Sequence, residues 1–283
     1  MESLVSTEWL AKELGASDLR VVDATRFMGD GDRDARAEYE AGHIPGAVFM
    51  DLGELTDGTS DIPNMAPKAE KFASRMQSLG LGDGSRIVLY DDSPLNSAAR
   101  AWWLLKLFGA HSVAILDGGL AKWRAEERPL ESGNQQLRHR HFTAWHDAGA
   151  VRTKDQVADL VKSGGDDAQI VDARSAKRFT GEECDPRPGI APGHIPGSRS
   201  LPHAQLFNAD GTWKQGEALR AAFADAGVDP ARPIVATCGS GMTASVVAFG
   251  AHLLGNENVS VYDGSWAEWG MDPATPKATG PAV

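Results

Sequence analysis

Ile234-Val235-Ala236-Thr237-Cys238-Gly239-Ser240-Gly241-Met242-Thr243 is a short apolar run that ends in a cysteine and a two-glycine turn. A run of this length, bounded by turn residues, reads as a buried strand. Downstream, Val246, Val247, Phe249, Ala251, Leu253 and Leu254 fall on nearly every face of a helical segment, Thr243–Leu254. Such a helix suits packing between a sheet and a neighbour. Strand, turn and helix in this order are the unit of a parallel α/β sheet, and ligands collect at the carboxyl ends of its strands. Cys238 occupies that position.

The same unit is written earlier in the chain. Arg86-Ile87-Val88-Leu89-Tyr90 precedes Asp91, as Pro233-Ile234-Val235-Ala236-Thr237 precedes Cys238. Val21-Val22-Asp23-Ala24-Thr25 returns as Ile170-Val171-Asp172-Ala173-Arg174, and Gly42-His43-Ile44-Pro45-Gly46 returns unchanged at Gly193–Gly197. Asp117-Gly118-Gly119-Leu120-Ala121-Lys122-Trp123 returns as Asp263-Gly264-Ser265-Trp266-Ala267-Glu268-Trp269. The landmarks keep their order and nearly their spacing: 20 residues from Asp23 to His43, and 22 from Asp172 to His194. A chain of 283 residues has room for two domains at roughly 100–200 residues each. The repeat predicts an N-terminal α/β domain at 1–130, a polar linker at 131–149 and a C-terminal α/β domain at 150–283. Each is expected to be a parallel sheet flanked by helices. The proline- and threonine-rich tail from Pro273 reads as loose.

Charge and composition exclude several classes. Acidic residues outnumber basic ones by 39 to 28, a net charge of −11, which argues against a nucleic-acid partner. No run of about 18 apolar residues is present, so no membrane helix is expected. Residues Met1 to Leu10 lack the cationic start and apolar block of a signal peptide. The 2 cysteines, Cys184 and Cys238, are too few for a disulfide framework or a cysteine-built zinc site. A reducing, cytoplasmic setting follows, and no metal is expected.

In that setting Cys238 reads as a nucleophile. Two glycines let the turn close around the sulfur, so that backbone N–H groups form an anion-binding nest. The positive end of the following helix adds to it. Both favour negative charge on the sulfur, whether as thiolate or as persulfide, with no need of a metal or organic cofactor. The first copy is the control: Asp91 aligns with Cys238, and its turn, Asp92-Ser93-Pro94-Leu95-Asn96, has no sulfur. The first domain is therefore expected to be a structural partner without a nucleophile.

Cys238-Gly239-Ser240-Gly241-Met242-Thr243-Ala244, the paired Gly-His-Ile-Pro-Gly segments and the stretch from Asp263 together resemble the tandem rhodanese-fold sulfurtransferases. The resemblance covers nearly the whole chain, and its nearest branch takes sulfur from 3-mercaptopyruvate. It implies two rhodanese-like domains and a Cys238 that attacks the donor sulfur, releases pyruvate and holds a persulfide. The sulfane sulfur then passes to a thiol such as thioredoxin, or to cyanide. Gly239, Ser240 and Gly241 are uncharged where thiosulfate-specific relatives carry cations, which favours a monoanionic keto acid; thiosulfate is the alternative donor. By the same resemblance Arg178 and Arg187 bind the donor, and a guanidinium suits a carboxylate through its rigid fork. Gly239, Gly241, Met242 and Thr243 complete the binding turn. Ser240 is expected to act in catalysis, donating a hydrogen bond to the leaving enolate or its carbonyl.

This chain departs from the resemblance at a proton relay. Asn64 stands where many relatives have its His, and Gly53 where they have its Asp; an asparagine does not shuttle protons at neutral pH. His43 and His194 belong to both copies, one of which lacks a nucleophile, so a structural role is expected for them and for Asp23 and Asp172. Cys184, flanked by Glu182, Glu183 and Asp185, reads as incidental. Trp266 and Trp269 read as core. Two rival classes fare worse. A cysteine phosphatase of this fold needs an arginine six positions after the nucleophile, where this chain has Ala244. A non-catalytic binding module would have no use for an intact cysteine turn.

Overall fold

The computed structural model describes residues 1–28, 33–135, 137–165 and 167–282. They form two compact units. Unit 1 holds Met1–Thr56, Ala66–Asp147 and Ala209–Trp213; unit 2 holds Asp57–Met65, Ala148–Asn208 and Lys214–Val283. Residues 131–147, read from sequence as linker, lie with unit 1, where Asp83 and Trp145 donate backbone bonds to His141 and Phe108.

Unit 1 contains strands β1 (Leu4–Val5), β2 (Leu19–Asp23), β3 (Val48–Phe49), β4 (Arg86–Tyr90) and β5 (Val113–Leu116). They form one sheet in the order β1-β5-β4-β2-β3, and every pairing is parallel. Unit 2 repeats the pattern with β6 (Val151–Arg152), β7 (Gln169–Asp172), β8 (Arg199–Ser200), β9 (Ile234–Thr237) and β10 (Val259–Tyr262). The order β6-β10-β9-β7-β8 is again all parallel.

The central strand explains the sequence pattern. Every residue of β9 is buried, because helices cover both faces of a parallel sheet and leave no polar side for an alternating strand. Each fully buried Val or Ile there contributes roughly 1.5–3 kcal/mol. The helix Ala244–Leu253 behind it is buried from Ala244 through Ala251, as its all-round apolar pattern predicts. In unit 1 the helix Ala98–Leu107 does the same beside β4.

The two repeated histidines have matching surroundings. His43 is fully buried, its Nδ1 is 2.7 Å from the Tyr39 carbonyl, and its ring stacks on Tyr39 at 4.1 Å. His194 is buried with Nδ1 2.9 Å from the Phe179 carbonyl, stacked on Phe179 at 3.7 Å. Each pins its turn to a helix end, the structural role expected of it. Trp266 and Trp269 are buried, donating to the carbonyls of Ala191 and Pro276.

The tail corrects the sequence reading, because it is held in place. His194 and Ala278 exchange backbone hydrogen bonds of 2.8 and 3.0 Å, and the Gly280 N–H donates to the Thr180 carbonyl at 2.9 Å. A Cβ on Gly193 would lie 2.1 Å from the Ala278 oxygen, so only glycine allows this approach. Composition suggested looseness; backbone pairing to a distant turn, which composition does not report, fixes the segment. Val283 lies outside the described residues.

Candidate active site

Cys238 follows β9 directly and is buried, with 2% of its surface exposed. The turn after it is anchored by a residue that local sequence reading did not single out. Ser265 Oγ accepts the N–H groups of Cys238 and Gly241, both at 3.1 Å, and donates to the Tyr262 carbonyl at 2.8 Å. Ser265 adopts a left-handed backbone, φ 51°. Its counterpart in the first copy, Gly119, has φ 55°, and a Cβ there would sit 2.5 Å from the Asp91 carbonyl oxygen. A serine where the repeat shows that glycine suffices was the available signal.

The anchoring revises the expected nest, since two of its N–H groups serve the fold. Four others remain. Among the described residues, the backbone N–H groups of Gly239, Ser240, Met242 and Thr243 donate to no protein acceptor. Ser240, Met242 and Thr243 are buried. A buried N–H left unsatisfied costs about 1–3 kcal/mol, and such groups are few in native proteins. Several on one turn, with Gly241 at φ 78° reversing the chain, make a seat for an anion.

Both predicted arginines reach this turn. The Nη2 of Arg187 donates to the Gly239 carbonyl at 2.9 Å. A Cβ on Gly239 would lie 3.5 Å from Nη2 of Arg178 and 3.5 Å from Nη2 of Arg187, so both guanidiniums face the residue next to Cys238. Asp185 holds them there. Arg187 grips it with Nε at 2.7 Å and Nη2 at 2.8 Å, and Arg178 bonds to it through Nη2. Burial alone would push the Asp185 carboxyl up, but the Arg187 hydrogen bonds and both positive charges outweigh it and hold it at about 2. Arg178 Nε is buried with no hydrogen-bond partner. Sequence reading noticed Asp185 only as a neighbour of Cys184, which is exposed.

Ser240, 5% exposed, accepts a hydrogen bond at Oγ from Asn64 Nδ2 at 2.9 Å. Asn64 arrives on the Asp57–Met65 segment, closed by a bond from the Asp57 N–H to the Met65 carbonyl. At Gly53 a Cβ would lie 2.3 Å from Arg26 Nη1, so a larger residue there would displace that arginine.

The first copy shows the same turn differently filled. Asp91 Oδ1 accepts the Ser93 N–H at 2.9 Å and Oδ2 the Ala98 N–H at 2.6 Å. Burial pushes this carboxyl up to about 7 against those two bonds. Leu120 donates to the Asp91 carbonyl just as Trp266 donates to that of Cys238. In unit 2, Asp172 is engaged by Arg174, whose guanidinium also lies 4.6 Å over the Trp266 ring.

Residues 6–126 and 153–272 each match the rhodanese-like domain family. The chain is 42% identical to a 3-mercaptopyruvate sulfurtransferase of Homo sapiens over 275 residues, 95% of this chain and 92% of that one. It is 42% identical to the 3-mercaptopyruvate sulfurtransferase of Escherichia coli K12, across 94% of each. Among solved structures, that of the 3-mercaptopyruvate sulfotransferase SseA from Escherichia coli superposes with a TM-score of 0.85, at 39% identity over 94% of this chain and 99% of that one.

Proposed function

This chain belongs to the rhodanese family, and on that premise we propose that it is a 3-mercaptopyruvate sulfurtransferase that carries sulfur on Cys238. The observation that supports the reading best is the set of unpaired N–H groups on the Cys238 turn, beside two arginines oriented by one aspartate. The turn suits a sulfur anion, and the arginines suit a carboxylate.

In this reading the donor's carboxylate rests on Arg178 and Arg187, which places its sulfur at Cys238. The thiolate attacks that sulfur, an S–S bond forms and the C3–S bond breaks. Its electron pair becomes the enolate of pyruvate, with charge on the C2 oxygen. Water protonates the enolate carbon, and the donor thiol's proton restores the balance. A Cys238 persulfide remains, stabilised as the anion by the Gly239, Ser240, Met242 and Thr243 amides. Attack on its outer sulfur by a thiol, thioredoxin among them, or by cyanide regenerates Cys238. The cysteine has to stay reduced to accept sulfur, which suits a cytoplasmic setting. Among the described residues no helix is long and apolar enough to cross a membrane.

The charge of the site argues for this donor over thiosulfate. Two guanidiniums less one carboxylate leave one positive charge, which matches a monoanion. The test compares kcat/KM for mercaptopyruvate and thiosulfate with cyanide as acceptor. Higher efficiency with mercaptopyruvate is expected; equal or greater efficiency with thiosulfate overturns the assignment.

A further inference from the structure

We infer that Asn64 is a positioning residue that fixes the direction of the Ser240 hydroxyl proton, so that the serine serves the reaction as a hydrogen-bond donor and not as a base. The inference rests on the mercaptopyruvate reading and goes beyond it.

A serine hydroxyl has one proton and two lone pairs. Asn64 Nδ2 donates to Ser240 Oγ at 2.9 Å and so occupies a lone pair. The hydroxyl proton then has to point elsewhere, and the pairing biases it away from Asn64. Both side chains are buried, with Asn64 8% and Ser240 5% exposed, so water does not compete freely for the orientation. Neither partner titrates near neutrality, so the pair holds one arrangement across that range.

Backbone geometry supports a selected position. Asn64 has φ 61°, in the left-handed region where asparagine is among the few non-glycine residues tolerated. A proton fixed in this way is available to the C2 oxygen of the donor, which gains charge as the C3–S bond breaks. No proton is transferred by the pair: Ser240 keeps its hydrogen throughout, and the enolate carbon takes its proton from water.

Three substitutions, two of them also combined, test this with mercaptopyruvate as donor. Asn64→Gly removes the amide and accepts the backbone angle, which an alanine would strain. Asn64→Asp keeps the shape and, ionised, has no N–H to give. Ser240→Ala removes the hydroxyl, alone and combined with Asn64→Gly. Each Asn64 variant should lower kcat about tenfold with KM within about twofold, the effect of one lost hydrogen bond made in the transition state. The double variant should equal Ser240→Ala alone. The inference fails if Asn64→Gly lowers kcat by the same factor in the Ser240→Ala background, which marks a merely structural role. It also fails if Asn64→Asp keeps the parent kcat. A parent protein that turns over thiosulfate but not mercaptopyruvate removes the donor reading and this role together, and shows itself before any substitution is made.

Discussion

Arg187 holds Asp185 by two parallel hydrogen bonds, Nε to Oδ1 at 2.7 Å and Nη2 to Oδ2 at 2.8 Å, and with the same Nη2 holds the Gly239 carbonyl. The aspartate, with 1% of its side chain exposed, thus sets the position of a cation relative to Cys238 and also subtracts one charge from the site. Asp185→Asn should raise the net charge by one and shift preference toward the dianion. The ratio of kcat/KM for thiosulfate to that for mercaptopyruvate should rise about tenfold, whereas loss of positioning alone would depress both donors alike.

The same residue makes a pH prediction. Its folded carboxyl is held at about 2, below the ordinary 3.8. A depressed acid contributes stability that is complete above the unfolded value and is lost as pH falls through the folded one. The gap in thermal midpoint between parent and Asp185→Asn should stay constant above about pH 5 and narrow as the solution is acidified through 4 toward 2. A gap unchanged across that window would mean Asp185 stabilises by packing alone.

Ser265 offers a different handle, because it touches the turn and not the donor. Ser265→Gly keeps the left-handed backbone but frees the Cys238 and Gly241 N–H groups, at a cost of about 1–3 kcal/mol. Ser265→Ala adds strain of about 1 kcal/mol at φ 51°. Denaturant unfolding should rank parent, Gly variant, Ala variant in falling stability. Both variants should lose kcat more than KM with either donor, since the sulfur's seat is shared by both reactions.

Arg187→Lys keeps the charge but loses the two-pronged geometry. It should raise KM for mercaptopyruvate about tenfold or more and affect thiosulfate less. Parent behaviour toward mercaptopyruvate would place the carboxylate elsewhere. Cys238→Ser should abolish thiocyanate formation, and intact mass after incubation with donor alone should show one added sulfur in the parent and none in the variant. Removing residues 273–282 should lower the thermal midpoint through the lost His194–Ala278 pairing; an unchanged midpoint would restore the loose tail.

Much of this architecture is legible in the sequence, for a physical reason. β4, β5, β9 and β10 are buried along nearly their whole length, so their runs are mainly apolar, with Ser260 the polar exception in β10, and their ends fall at turn residues. Duplication then allows each landmark to be read twice. The Cys238 turn was visible because the chain reversal at Gly241, φ 78°, is a local requirement for glycine. Ser265, Asp185 and Asn64 were harder to place. Ser265 lies 27 residues from Cys238 in sequence, and Asn64 lies 176 from Ser240. Their roles come from hydrogen bonds closed by the fold, which no periodicity encodes. Asp185 was legible as a charge but not as the pivot of two arginines. The tail misled for the related reason that backbone pairing leaves no mark on composition.

Asp91 has a consequence for how the two halves respond to cargo. Its carboxyl is built into the chain and already accepts the Ser93 and Ala98 amides, so the first copy always carries its own acceptor. The second copy gains its outer acceptor atom only when sulfur arrives on Cys238. Loading should therefore stiffen residues 238–243 and leave 91–98 unaltered. Amide hydrogen exchange, slowed in the one turn and constant in the other, would then report how much of the protein is carrying sulfur at a given moment.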